Sequence, residues 1–315
     1  MLHSSAIAID FRRSVDPDRR TNPKGATEIV RSVLSLPDGE LDYARAKITF
    51  DRIIDPSVDV DATLSLLDSM TERVRELAAA ATTVDAKLSA LRNFLHEAGS
   101  WNDHRPFAYD QSDPLGRRMQ NKLLHNYLAT RLGQCVSMPA LFMILAERLG
   151  LDIALALAPE HVFVRVQTSE RPINIETTSG AHPARDAWYR QNFPITDRSV
   201  EAGVYLRSLS KREGIAVLAC NVAEHLYKQG RFGAVTGVCN LILENHPTDV
   251  QVMVCLGSAY GKLLDEFRQR YPSPWTTPPE MHGHAWKLMQ QNMRLFEIAE
   301  GLGWVPFEEG ERNVR

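Results

Sequence analysis

Apolar residues recur at helical spacing through the first third of the chain. Between Asp61 and Ala81, Leu64, Leu67, Met70, Val74 and Leu77 fall three or four positions apart, the spacing that lines one face of a helix. Thr27 to Leu36 reads the same way. Thr83 to Ala98 puts Leu88, Leu91, Phe94 and Leu95 on one stripe before Gly99 and Ser100 break it. The stretch Trp101 to Gly116 has no such period and holds Pro106, Pro114 and several Asp and Asn residues. With Trp101, Phe107 and Tyr109 as anchors it is predicted to be an ordered loop that borders a cleft. The pattern then changes character. A helix is predicted over Val136 to Leu149, closed by Gly150, followed by β-branched or apolar runs at Ile153–Leu157, His161–Val166 and Ile173–Thr177. Helix followed by sheet points to an α+β core.

Beyond Ser210 the spacing is helical again and repeats. Aligning 216–249 with a unit starting at Val250 gives a period of about 34 residues, the length of a tetratricopeptide repeat. Leu226, Gly230, Phe232 and Pro247 in the first unit, and Leu256, Gly257, Ala259 and Tyr260 in the second, stand at consensus-like places. The second unit degenerates after Leu264, and the proline-rich stretch Tyr271 to Pro279 predicts a loop before a last helix over His284 to Glu300. The opening 24 residues are rich in Arg, Asp and Pro with little apolar period. The expected organisation is therefore a flexible arm over 1–24, an α+β domain with N-terminal helices over 25–209, and a helical domain over 210–315.

A chain of 315 residues buries a substantial core, and its formal net charge of −3 offers no basic excess for gripping phosphates, so nucleic acid is not an expected partner. No run approaches the roughly 20 apolar residues of a membrane span. The apolar stretch Ala6 to Ile9 is cut by Asp10, Arg12 and Arg13, too short for a secretory h-region. The four cysteines, at 135, 220, 239 and 255, show no Cys-x-x-Cys spacing. A cytoplasmic protein with reduced thiols is expected.

The chemistry is concentrated in Arg131-Leu-Gly-Gln-Cys135-Val-Ser-Met-Pro139 and the two strands after it. Proline is tolerated only in the first turn of a helix, so Pro139 sets Cys135 at or just before the helix start. There the helix dipole and free N–H groups stabilise a thiolate and a developing oxyanion. Gly133 lets the backbone turn tightly or approach a substrate closely just ahead of the thiol, and Gln134 is its second supporting neighbour. His161 follows Pro159-Glu160 at a strand mouth, and Glu176 lies on the next strand. A thiol, an imidazole and a carboxylate in this order suit a nucleophile, a proton acceptor and a group that orients the ring. Asn174 shares a sheet face with Glu176 and is the alternative orienter. Metal has little support, because Cys135 and His161 lack further ligands at a recognisable spacing and no EF-hand-like Asp series occurs. Neither common Gly-rich phosphate loop is present, and no cofactor is expected.

These residues resemble the transglutaminase-like superfamily. Its core motif is a Gly-x-Cys at a helix start, here Gly133 and Cys135, a His opening a strand, here His161 in His-Val-Phe-Val-Arg, and an acid on the next strand, here Glu176 in Ile-Asn-Ile-Glu-Thr-Thr. The family usually has Asp at the third place, so the longer Glu176 is a departure. The arrangement is also similar to bacterial transglutaminase-like proteins in which helices precede such a domain and tetratricopeptide repeats follow it. The resemblance implies a papain-like α+β core with a small antiparallel sheet and, where active, acyl transfer from a protein or peptide amide by hydrolysis, deamidation or cross-linking. Two functions stand side by side: a cysteine-dependent acyl-transfer enzyme, and a silent relative that binds protein partners through its helical repeats.

Overall fold

A computed structural model describes residues 25–306 of the chain; the arm expected over 1–24 and the last nine residues lie outside that range. Four helices open the fold: α1 (Ala26–Leu34), α2 (Tyr43–Ile54), α3 (Val60–Leu77) and α4 (Val84–His96). Side chains cap three of them. Asp42, Asp59 and Thr83 accept from the N–H groups of Arg45, Ala62 and Ala86, satisfying donors that a helix start leaves unpaired. Helix α2 is built round a fully buried ion pair, Lys47 Nζ to Asp51 Oδ1 at 2.5 Å. Lys47 also donates to the Lys122 carbonyl at 2.8 Å, and Asp51 Oδ2 accepts from Leu124 N–H at 2.6 Å. Both charges are thus spent on fixing the segment that leads into α5 (Leu124–Thr130).

A short parallel bridge, β1 (Ala108–Tyr109) on β2 (Leu132–Gly133), brings the loop after α4 beside the approach to Cys135. Helix α6 (Ser137–Arg148) then runs through the middle of the core, buried from Ser137 to Ala146. It packs on a four-stranded antiparallel meander, β3 (Ile153–Ala158), β4 (His161–Val166), β5 (Ile173–Glu176) and β6 (His182–Ala184). Short helices α7 (Asp186–Asn192) and α8 (Asp197–Glu201) follow the sheet.

The remaining helices are α9 (Lys211–Leu218), α10 (Cys220–Lys228), α11 (Phe232–Asn245), α12 (Val250–Arg270) and α13 (His284–Gly301). Successive members of α10 to α13 pack on one another as two helix pairs. The first pair turns in three residues, whereas the second is split by the proline-rich 271–283 stretch, so the spacing of helix starts does not repeat. The apolar core runs without a break across residues 209 and 210. Helix α1 packs on α11, where a Cβ added to Gly237 would come within 2.9 Å of Thr27 Oγ1. Arg212 clamps the same junction through the Leu34 and Leu36 carbonyls and the Asp38 carboxylate. Among the described residues, no helix is long and apolar enough to cross a membrane.

Candidate active site

Cys135 sits two residues ahead of α6. The turn that presents it is held by Ser137, whose Oγ accepts from Gln134 N–H at 3.1 Å and donates to the Asn121 carbonyl at 2.6 Å. Gly133 has a different reason from the one its motif suggests. A Cβ there would lie 2.6 Å from the Tyr127 ring and 2.8 Å from Ser137 Oγ, so the glycine is needed for close packing behind the thiol. The buried Gln134 side chain donates to the Asp110 and Asp113 carbonyls at 3.2 and 2.6 Å. It braces the loop beside the site and spends both bonds there.

His161 and Glu176 meet through the sheet register. Val164 pairs with Ile175 and Val166 with Ile173, so Glu176 stands opposite Phe163 and diagonal to His161 on the same face. The long glutamate side chain closes that diagonal, bringing Oε2 to 2.7 Å from His161 Nε2. The same carboxylate accepts from Tyr189 Oη at 3.0 Å, from Thr178 N–H at 3.0 Å and from Thr178 Oγ1 at 2.5 Å. Asn174 does not join them. It lies two residues, about 7 Å, farther along β5, beside Arg165 in the register, and donates to Asp186 Oδ1 at 2.6 Å.

With Nε2 bound to Glu176, the ring nitrogen left for the thiol is Nδ1, and Cys135 hydrogen-bonds to the ring. The thiol also lies 3.9 Å from the Glu160 carbonyl, at the tip of the β3–β4 hairpin. Glu160 has φ 53°, a left-handed conformation that costs a non-glycine residue about 1–2 kcal/mol, and it turns the chain so that His161 begins its strand over the helix start. Burial opposes charge on His161, but the Glu176 carboxylate and the ring's hydrogen bonds with Cys135 and Glu176 outweigh it, and the imidazole is pushed up to about 10. Glu176 is likewise buried, yet His161 and Thr178 hold it below the usual carboxylate range. Phe193 stacks on the ring at a centroid distance of 5.2 Å.

Tyr189, Thr178 and Phe193 are the members of the site that the sequence did not indicate. Tyr189 is fully buried and stacks on Phe163 at 4.1 Å. A Tyr in the short helix after the sheet has no spacing that announces this role; only the return of α7 over the sheet creates it. Among the described residues, no group of three His, Cys, Asp or Glu is placed to hold a metal ion.

The site opens on a cleft of about 660 Å³. One wall comes from the Leu115–Arg117 turn, Cys135, His161, Val204 and Tyr205; the other comes from α9 to α12.

A thiol at the head of a buried helix, packed on an antiparallel sheet that carries a paired imidazole and carboxylate, defines a papain-like α+β domain. The chain belongs to the transglutaminase-like superfamily, whose family model matches residues 61–219, half of its length. No match is found among curated protein sequences. Among solved structures, a crystal structure of menin, which reveals that protein's binding site for Mixed Lineage Leukemia (MLL) protein, is similar at 15% identity and a TM-score of 0.39. The likeness covers 87% of this chain and 61% of the menin chain. The present chain therefore spans less than two thirds of that structure.

Proposed function

We propose that the protein is a cysteine-dependent amide acyl-transfer enzyme acting on a protein or peptide. The observation that carries this reading is the 2.7 Å contact between His161 Nε2 and Glu176 Oε2, with Cys135 hydrogen-bonded to the same ring. In this reading the Cys135 thiolate attacks the amide carbonyl carbon, forming an S–C bond. His161 delivers its proton to the nitrogen as the C–N bond breaks, releasing an amine. Water or a second amine then attacks the thioester, gives its proton to His161 and restores the thiolate. Glu176 keeps the ring oriented throughout and stabilises it whenever it carries the proton, and N–H groups at the start of α6 face the oxyanion.

The alternative is a silent scaffold that works through its helical part. One observation favours it: Trp275, in the loop that joins α12 to α13, is 96% exposed and Trp286, in the first turn of α13, is 56% exposed, an arrangement suited to a protein partner.

Alkylation by iodoacetamide, with the modified thiol assigned by mass spectrometry, separates the two. The enzyme reading expects rapid labelling of Cys135 below about pH 7, lost in His161→Ala. Slow labelling that rises only near about pH 8.5 and ignores His161 overturns it in favour of the scaffold.

A further inference from the structure

The cleft has a second wall that the acyl-transfer chemistry does not use. From Cys135 it continues along Val217, Cys220, Tyr227, Val252 and Cys255, residues of α9, α10 and α12 at the margin of the matched domain or beyond it. Its volume of about 660 Å³ is that of a pocket built to enclose a ligand group, within the roughly 300–1,000 Å³ such sites occupy.

The charged groups on this wall are spent on one another. Glu224 accepts from Lys122 at 2.7 Å and from Lys228 at 2.8 Å, and Lys228 also donates to the Arg117 carbonyl at 3.1 Å. The chain of contacts ties α10 to the 117–122 segment, so the wall is anchored to the half of the cleft that holds the thiol. Asp249 caps α12 by accepting from Val252 N–H at 3.1 Å. Burial pushes the Cys220 thiol well above its ordinary range, so it stays neutral and offers a small apolar surface. A charged side chain entering here loses water and displaces existing ion pairs, whereas an apolar one exchanges water for matching surface.

We infer that the α9–α12 wall is the acyl-donor subsite, and that it receives a large apolar side chain of a peptide, next to the amide that Cys135 attacks. The inference rests on the acyl-transfer reading. It gives the helical part a share in choosing the substrate.

The test uses the full chain and peptidyl chloromethyl ketones that differ only in the residue beside the ketone: Phe or Leu, against Asp or Lys. Capture forms an S–C bond at Cys135 with loss of chloride, and mass spectrometry gives the rate of that adduct. The Phe or Leu probe is expected to react about 10- to 100-fold faster than the Asp or Lys probe, the range that apolar pocket contacts provide. Cys255→Phe, at a half-buried position, fills the cleft and is expected to bring the ratio close to one. Ser258→Phe, also half-buried and on the same lining, makes the same measurement if the first variant melts early. Iodoacetamide is too small to need this wall and reads the nucleophile alone. Labelling by iodoacetamide that depends on His161, together with equal rates for all peptidyl probes, overturns the subsite and leaves the acyl-transfer reading standing. Absence of His161-dependent labelling overturns both.

Discussion

Glu176→Gln is the sharpest perturbation of the site. It keeps the shape of the side chain but removes its charge, and it leaves one acceptor oxygen where the carboxylate offers two. In the native protein those oxygens serve four donors: His161 Nε2 and Tyr189 Oη on one, Thr178 N–H and Oγ1 on the other. An amide must turn its NH₂ toward one of these pairs, leaving donor against donor. A hydrogen bond to a charged group contributes about 1.5–3 kcal/mol, and 1.36 kcal/mol corresponds to one pKa unit. The imidazole, now pushed up to about 10, is therefore expected to fall by about one to two units. Since the imidazolium stabilises the thiolate beside it, the charged pair is then lost about one to two pH units lower than in the native protein. The assay is the second-order rate of Cys135 alkylation from pH 4 to pH 10. The high-pH end of the profile, where the ring loses its proton, should move down by about one to two units, whereas at pH 6 the ring is charged in both proteins and the rates should differ little. A profile that overlays the native one, in a protein whose His161→Ala variant has lost fast labelling, refutes the claim that Glu176 holds the imidazole charged.

Two other changes test the frame round the site. Gly133→Ala drives a methyl group into the Tyr127 ring and Ser137, so it is expected to cost about 1–3 kcal/mol in a urea melt and to slow Cys135 alkylation by disturbing the turn. Unaltered stability and reactivity would show that the turn relaxes freely. Glu213, at the start of α9, is partly buried, which works against its charge, but paired bonds from Arg207 at 2.6 and 2.9 Å and one from Ser210 N–H at 2.8 Å hold its carboxyl down at about 2. Its contribution to stability is thus present above the ordinary glutamate value and is lost as pH falls toward about 2. Acid unfolding followed by circular dichroism should find Glu213→Gln less stable than the native protein at pH 7, with the gap closing by pH 2; a gap constant with pH contradicts the assignment.

Much of the central domain is legible in the residues. The run His161–Val166 is a strand over that same range, and the expected helix over Val136 to Leu149 is α6 to within one residue at each end, because apolar content, Pro139 and Gly150 all agree there. Helix α2 escaped the reading for a specific reason. Lys47 and Asp51 occupy positions on its buried face, so the stripe that announces a helix is interrupted by charges that meet only after folding. The repeat signal behaves similarly: its first unit is the pair α10 and α11, while α12 runs on to Arg270 and the second pair is split by a long loop. At the site, residue types and order pointed to Cys135, His161 and Glu176, which the fold brings together. The order alone could not choose between Glu176 and Asn174. That choice depends on strand register, which sets Asn174 beside Arg165 and Asp186. The roles of Gly133, Gln134 and Tyr189 depend on neighbours distant in sequence, and no local pattern encodes them.

The docking of α1 on α11 has a consequence for how the chain comes to be folded. Helix α2 packs on α1 early, but the buried stripe Ala26, Val30 and Leu34 is fully covered only when Arg212 and α11 arrive, 178 residues later at the Arg212–Leu34 contact. At ribosomal speeds of about 5–20 residues per second, the first helix waits about 10–40 s for its berth. During that interval part of its apolar face is bare and the loop to be closed is among the longest the chain offers, an entropic toll paid late. The seam between α1 and α11 is therefore closed late. A nascent chain halted before residue 212 displays a sticky amphipathic helix, the kind of segment that holdase chaperones grip.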